Sequence, residues 1–170
     1  MKISKDIFFT QFKASFNYAK ARKYLNKIVK EENEILNSLK SKYKNQFDKK
    51  LILKINKFKK IFIIGMGGSI LGSKAIYNFL KKKNNKEFTF IDNLNLGINK
   101  NNKKKKLNLV ISKSGNTLET ISNFNVLLGK KDKNIFITEN KNSYLLKLAN
   151  ELKAEIVHHN NYIGGRYSVL

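Results

Sequence analysis

Four hydroxyl side chains fall within nine residues in Ser112-Lys113-Ser114-Gly115-Asn116-Thr117-Leu118-Glu119-Thr120. Ser112, Ser114 and Thr117 are the natural set to aim O–H donors at one tetrahedral anion, with the amides of a helix N-terminus behind them. Helix capping and turn shaping account for Asn116 and Glu119 but leave the Ser-Lys-Ser cluster unused. A second stretch, Gly65-Met66-Gly67-Gly68-Ser69-Ile70-Leu71-Gly72, is a glycine-rich turn whose backbone amides could approach an anion without Cβ atoms in the way. It departs from the dinucleotide fingerprint, which needs glycine where Ile70 stands, although Asp92 mimics that motif's ribose-binding acid. It departs equally from the Walker pattern, since Ser73-Lys74 reverses the required order. The third stretch is Gly164-Gly165-Arg166-Tyr167-Ser168, where one of two arginines follows paired glycines that would let a guanidinium come close to an anionic intermediate.

Each stretch must be held by regular elements. Apolar runs at residues 61–64, 88–91, 107–111, 135–137 and 156–157 are continuous instead of alternating, as strands covered on both faces must be. Between them, Ile70, Leu71, Ala75, Ile76 and Leu80 predict a helix over 69–80, and Leu118, Ile121, Phe124 and Leu128 predict another, opened by Asn116 with Glu119 in a capping box. A third helix is predicted over 142–152 from Leu145, Leu148 and Leu152. Repeated strand, helix, strand units imply an α/β fold: a parallel five-stranded sheet with helices on both faces and right-handed crossovers. Any ligand site then belongs at the C-terminal edge of the strands. Upstream, Phe12, Phe16, Ala19, Leu25, Ile28, Ile35, Leu36 and Leu39 fall at helical spacing, so residues 1–58 read as a helical region and 59–170 as the α/β domain. The Lys- and Asn-rich tract 99–106 reads as a solvated loop.

Composition narrows the chemistry. No cysteine is present, so there is no cysteine-based metal site, and the adjacent His158 and His159 cannot alone complete a metal shell. A net charge of +23 invites a nucleic-acid reading, yet of 35 basic residues only Arg22 and Arg166 carry the guanidinium fork that reads base edges. The scattered lysines travel with asparagine and isoleucine, which points to a chain-wide compositional bias and to no specific nucleic-acid partner. No run of the sequence reaches the roughly 18 to 20 uncharged apolar residues of a membrane span, and the N-terminus lacks a secretory apolar stretch, so a cytoplasmic location without membrane partners is expected.

Gly67-Gly68-Ser69-x-x-Gly72, the Ser112 to Thr120 stretch and Gly164-Gly165-Arg166-Tyr167-Ser168 resemble, in order and spacing, three signatures of the glucose-6-phosphate isomerase family. The serine-rich loop is shared among sugar isomerase (SIS) domains, and the G-G-R-[FY]-S stretch is the most specific of the three. The resemblance covers about residues 59–170 and implies a SIS domain with flavodoxin-like layering. It implies that Gly68, Ser69, Ser112, Lys113 through its backbone, Ser114 and Thr117 hold a sugar phosphate. Arg166 would stabilise a cis-enediol intermediate, with Gly165 close to the substrate; glucose 6-phosphate and fructose 6-phosphate are the implied ligands. A fixed cation facing the developing oxyanion suits proton abstraction next to a carbonyl, and the resemblance implies that no metal and no cofactor is needed.

Members of that family place their proton-transferring glutamate, ring-opening histidine and a late lysine beyond the G-G-R motif, and they carry a second SIS domain. The present sequence stops at Leu170, so it is expected to hold the phosphosugar-binding part and to be inactive alone, as a fragment, a truncated reading frame or one product of a split gene. A homodimer is the expectation for the full-length protein. The alternative reading is a non-catalytic phosphosugar-binding SIS module, which the missing glutamate favours and the G-G-R arginine leaves unexplained.

Overall fold

A computed structural model describes residues 18–44, 47–94 and 105–165. The chain divides into two compact units, residues 1–43 and 44–170. In the first, α1 (Tyr18–Lys30) is followed by α2 (Glu34–Ser38), whose N-cap Asn33 accepts the Leu36 amide on its side-chain oxygen at 2.9 Å. An oxygen there satisfies one of the amides a helix start leaves without an internal partner. Residues 10–17 of the expected helical region lie outside the described residues.

The second unit begins with α3 (Lys49–Asn56), capped by Asp48, and continues through β1 (Lys60–Gly65), α4 (Gly68–Leu80), β2 (Glu87–Ile91), β3 (Leu107–Ile111), α5 (Leu118–Leu127), β4 (Lys133–Thr138), α6 (Tyr144–Glu151) and β5 (Glu155–His158). All five strands are parallel, in the order β2-β1-β3-β4-β5. Alternation along each strand builds two cores. Phe62, Ile64, Val110 and Phe136 meet Phe124 and Leu127 of α5 and Leu145 and Ala149 of α6 on one face. Ile61, Ile63, Leu107, Ile111 and Ile135 meet Ile70 of α4 and Leu51 and Ile55 of α3 on the other. Both faces being covered is why the strands read as unbroken apolar runs. Leu51 and Ile55 of α3, with Phe58 just after it, pack on this sheet, so α3 belongs to the same compact unit.

Two helices present a different face from the expected one. In α4 the sheet side is Ile70, Lys74 and Tyr77, whose ring lies 5.2 Å from Phe88 and 5.5 Å from Phe90, while Leu71, Ile76 and Phe79 are exposed. In α5 Thr120, Asn123, Phe124 and Leu127 are buried and Leu118 is exposed. Tertiary packing overrides the stripe of largest hydrophobicity in both cases, because the strand-to-helix turns set the rotation of each helix. Among the described residues no helix is long and apolar enough to cross a membrane.

Candidate functional site

Strand order places the first two sequence motifs side by side. β1 sits between β2 and β3, its chain leaving toward β2 through α4 while the chain after β3 leaves toward β4 through α5. Connections that diverge from neighbouring strands leave a crevice at the C-terminal edge, the switch point where ligands of open α/β sheets bind. Gly65 ends β1 in register with Ile111 at the end of β3. A Cβ on Gly65 would lie 2.9 Å from the Ile111 carbonyl oxygen and 3.3 Å from the Ser69 Cβ, so the bare glycine lets the start of α4 close onto the end of β3. Ser69 and Ser112 are thereby brought to one edge, and both are buried.

After β1, Gly67 caps α4 with φ +51°, a conformation that glycine adopts without strain. The Ser69 amide bonds to the Met66 carbonyl at 3.0 Å, and the Gly67 carbonyl accepts from Ile70 and Leu71, both at 3.1 Å. Gly68, the first residue of α4, presents an amide that the helix itself does not pair. The acid and base of the two decoy motifs are consumed together: Lys74 forms an ion pair with Asp92, so Asp92 does not stand ready for a ribose.

After β3, the Ser112 hydroxyl lies 2.9 Å from the Thr117 hydroxyl and accepts the Gly115 amide at 3.2 Å. Ser114 is exposed at the tip, its oxygen accepting the Asn116 amide at 3.3 Å. Thr117 is the N-cap of α5 but makes no capping bond with its side chain, leaving the first turn of α5 open to an anion. The expected capping box does not form. Asn116 instead accepts the Tyr144 amide at 2.9 Å and so caps α6 from another part of the chain, while Ser143 caps the same helix through the Leu146 amide at 3.3 Å.

Packing under this loop is tight. Gly115 has φ +67°, and a Cβ there would fall 2.2 Å from the Ser143 hydroxyl and 2.8 Å from that of Thr138. Thr138 donates to the Lys113 carbonyl at 3.3 Å, and the Gly115 carbonyl accepts the Leu145 amide at 3.0 Å. Thr138 and Ser143 are thus the supporting residues that motif reading misses; their only signals are a polar residue ending β4 and a serine opening α6. The Lys113 ammonium pairs with Glu139 at 3.1 Å and donates to the Asn161 carbonyl at 2.8 Å. Lys74 and Lys113 are thus both paired to carboxylates, while the starts of α4 and α5 face this edge.

The third motif follows β5. His158 ends the strand and His159 follows it, its amide bonding to the Thr138 carbonyl at 2.8 Å. Gly165 is exposed, with open space where a Cβ would stand. Arg166 lies outside the described residues.

Solved structures share this architecture. A hypothetical protein from Thermus thermophilus superposes with a TM-score of 0.59 at 21% identity, over 88% of this chain and 40% of that one. Tagatose-6-phosphate ketose/aldose isomerase from Escherichia coli gives 0.52 at 19% identity, over 64% of this chain and 32% of that one. The fold they share is the five-stranded parallel α/β sheet. Within it, the phosphoglucose isomerase family model matches residues 25–170, and the chain belongs to that family. Glucose-6-phosphate isomerase of Borrelia garinii subsp. bavariensis is 35% identical over 130 residues, covering 66% of this chain and 24% of that protein. The enzyme of Methanocaldococcus jannaschii is 33% identical over 161 residues, covering 88% and 39%. The chain therefore spans between about a quarter and two fifths of the length of these curated relatives.

Proposed function

We propose that this chain supplies the phosphosugar-binding part of an aldose-ketose isomerase that interconverts glucose 6-phosphate and fructose 6-phosphate through a cis-enediol. The observation that carries the reading is the meeting of the Gly67-Gly68-Ser69 turn and the Ser112 to Thr117 loop over neighbouring strands at the switch point. Two helix starts and several hydroxyls at one edge suit a dianionic phosphate. Gly68, Ser69, Ser112, the Lys113 backbone, Ser114 and Thr117 bind that phosphate in this reading. Arg166 serves the enediolate, with Gly165 leaving room for the sugar. Residues 59–170 act as the SIS domain, in a cytoplasmic protein that dimerises at full length. Taken alone, the chain binds without turnover, since a base for the C2 proton is assigned to no residue in it.

Calorimetric titration of the chain with fructose 6-phosphate tests this. Ser114→Ala removes a hydroxyl at an exposed loop tip, and affinity should fall by about 1 to 2 kcal/mol, one charge-assisted hydrogen bond, with the urea unfolding midpoint unchanged. Equal affinity in the two proteins would reassign the loop to helix capping.

A further inference from the structure

Lys113 joins three strand ends. Its carbonyl accepts from the Glu139 amide at 3.0 Å and the Thr138 hydroxyl at 3.3 Å, tying the loop after β3 to the end of β4. Its ammonium pairs with Glu139 and reaches the Asn161 carbonyl at 2.8 Å, in the loop that follows β5 and leads to Gly164-Gly165-Arg166. The Lys113 and Glu139 side chains are only 22% and 15% exposed, so the pair is largely shielded from solvent. An ammonium has three donors and no acceptor, and two of them are already engaged by Glu139 and Asn161.

We propose that the Lys113 side chain is a positioning residue, a strut that holds the loop after β5 at a set offset from the phosphate loop. The proposal rests on the isomerase reading for its functional meaning. In a sugar phosphate the distance from phosphate to reacting carbons is a property of the substrate, so the two protein groups that serve its ends must be held at a matching separation. Displacement by about 1 Å can cost on the order of 100-fold in rate. A segment with paired glycines has unusual backbone freedom, and a charge-assisted bond to it restricts that freedom directly. Glu139 supports the strut by orienting the ammonium, and the same residue gives the fixed end of the link, since its amide is bonded to Lys113.

The test uses the whole chain and two readouts. Amide hydrogen exchange over residues 159–165 should accelerate in Lys113→Met, with protection restored in Lys113→Arg, which keeps charge and donors. Glu139→Gln, a milder change, should move exchange in the same direction by less, and it stands in if Lys113→Met does not fold. Two probes are then titrated: inorganic phosphate, which needs only the serine loop, and arabinonate 5-phosphate, whose carboxylate stands where an enediolate would. Lys113→Met should weaken arabinonate 5-phosphate about ten-fold more than it weakens inorganic phosphate. Exchange that does not respond to Lys113→Met overturns the strut. So does an equal loss for both probes, which would put the ammonium on the phosphate. If exchange responds but the unsubstituted chain binds arabinonate 5-phosphate no better than phosphate, the strut stands and the isomerase reading falls.

Discussion

The turns after β1 and β3 both depend on a glycine at positive φ, Gly67 at +51° and Gly115 at +67°, yet they differ in what surrounds that glycine. A Cβ at Gly67 would meet nothing within 4 Å, whereas at Gly115 it would run into Ser143 and Thr138. The first turn is open on its outer side, as a backbone that a ligand approaches should be. The second is buttressed from beneath by the loop after β4, as a platform holding hydroxyls in place should be. Similar backbone conformations thus serve opposite needs, one access and the other rigidity.

Gly115→Ala is the severest way to break that contrast. Strain at positive φ and overpacking against Ser143 add together, for a loss of about 4 kcal/mol by urea unfolding. A loss below that of Gly67→Ala would mean that the loop after β4 yields easily and does not act as a platform. Gly67→Ala carries the strain without the collision, and about 2 kcal/mol is expected. Its sharper signature is in binding: the altered entry to α4 should weaken fructose 6-phosphate even in buffer where the variant is fully folded.

A smaller effect, remote from both turns, sets the scale for surface electrostatics. Lys54 on α3 pairs with Glu155 on β5. The hydrogen bond that Lys54 donates to Glu155 holds the Glu155 carboxyl below its ordinary 4.5 and the Lys54 ammonium above its ordinary 10.5. A lowered carboxylate contributes stability above its unfolded value and loses it as pH falls through the folded one; a raised ammonium contributes below its unfolded value and loses it at higher pH still. The Tm gap between the unsubstituted chain and Glu155→Gln should therefore be present at pH 7, close in the acid range below 4.5 and shrink with added salt. Since Lys54 is about half exposed, the gap should be the smallest of these effects. A larger gap than that of Gly67→Ala would show that turn strain is overstated.

Much of the fold was legible without coordinates. Each predicted strand run lies within an observed strand, because residues buried on both faces must be apolar in succession and few other structures demand that. The motifs were legible for a related reason: glycines and hydroxyls at strand-to-helix junctions are set by local backbone geometry. Helix rotation was not legible, as the exposed Leu71, Ile76 and Leu118 show. Apolar spacing records which residues could be buried, and neighbouring elements choose among them.

The amino-acid sequence by itself determined the strands, the glycine positions and the hydroxyl cluster, all matters of a few adjacent residues. Only the tertiary structure decided that β1 and β3 are neighbours, which puts Ser69 and Ser112 at one edge. It also decided that Asn116 caps α6, that Thr138 and Ser143 floor the serine loop, and that Lys113 faces Glu139 and Asn161. Those contacts join residues from about 23 to 48 positions apart in the chain, where no local periodicity can register them. Such pairings exist only once the sheet has set its strand order.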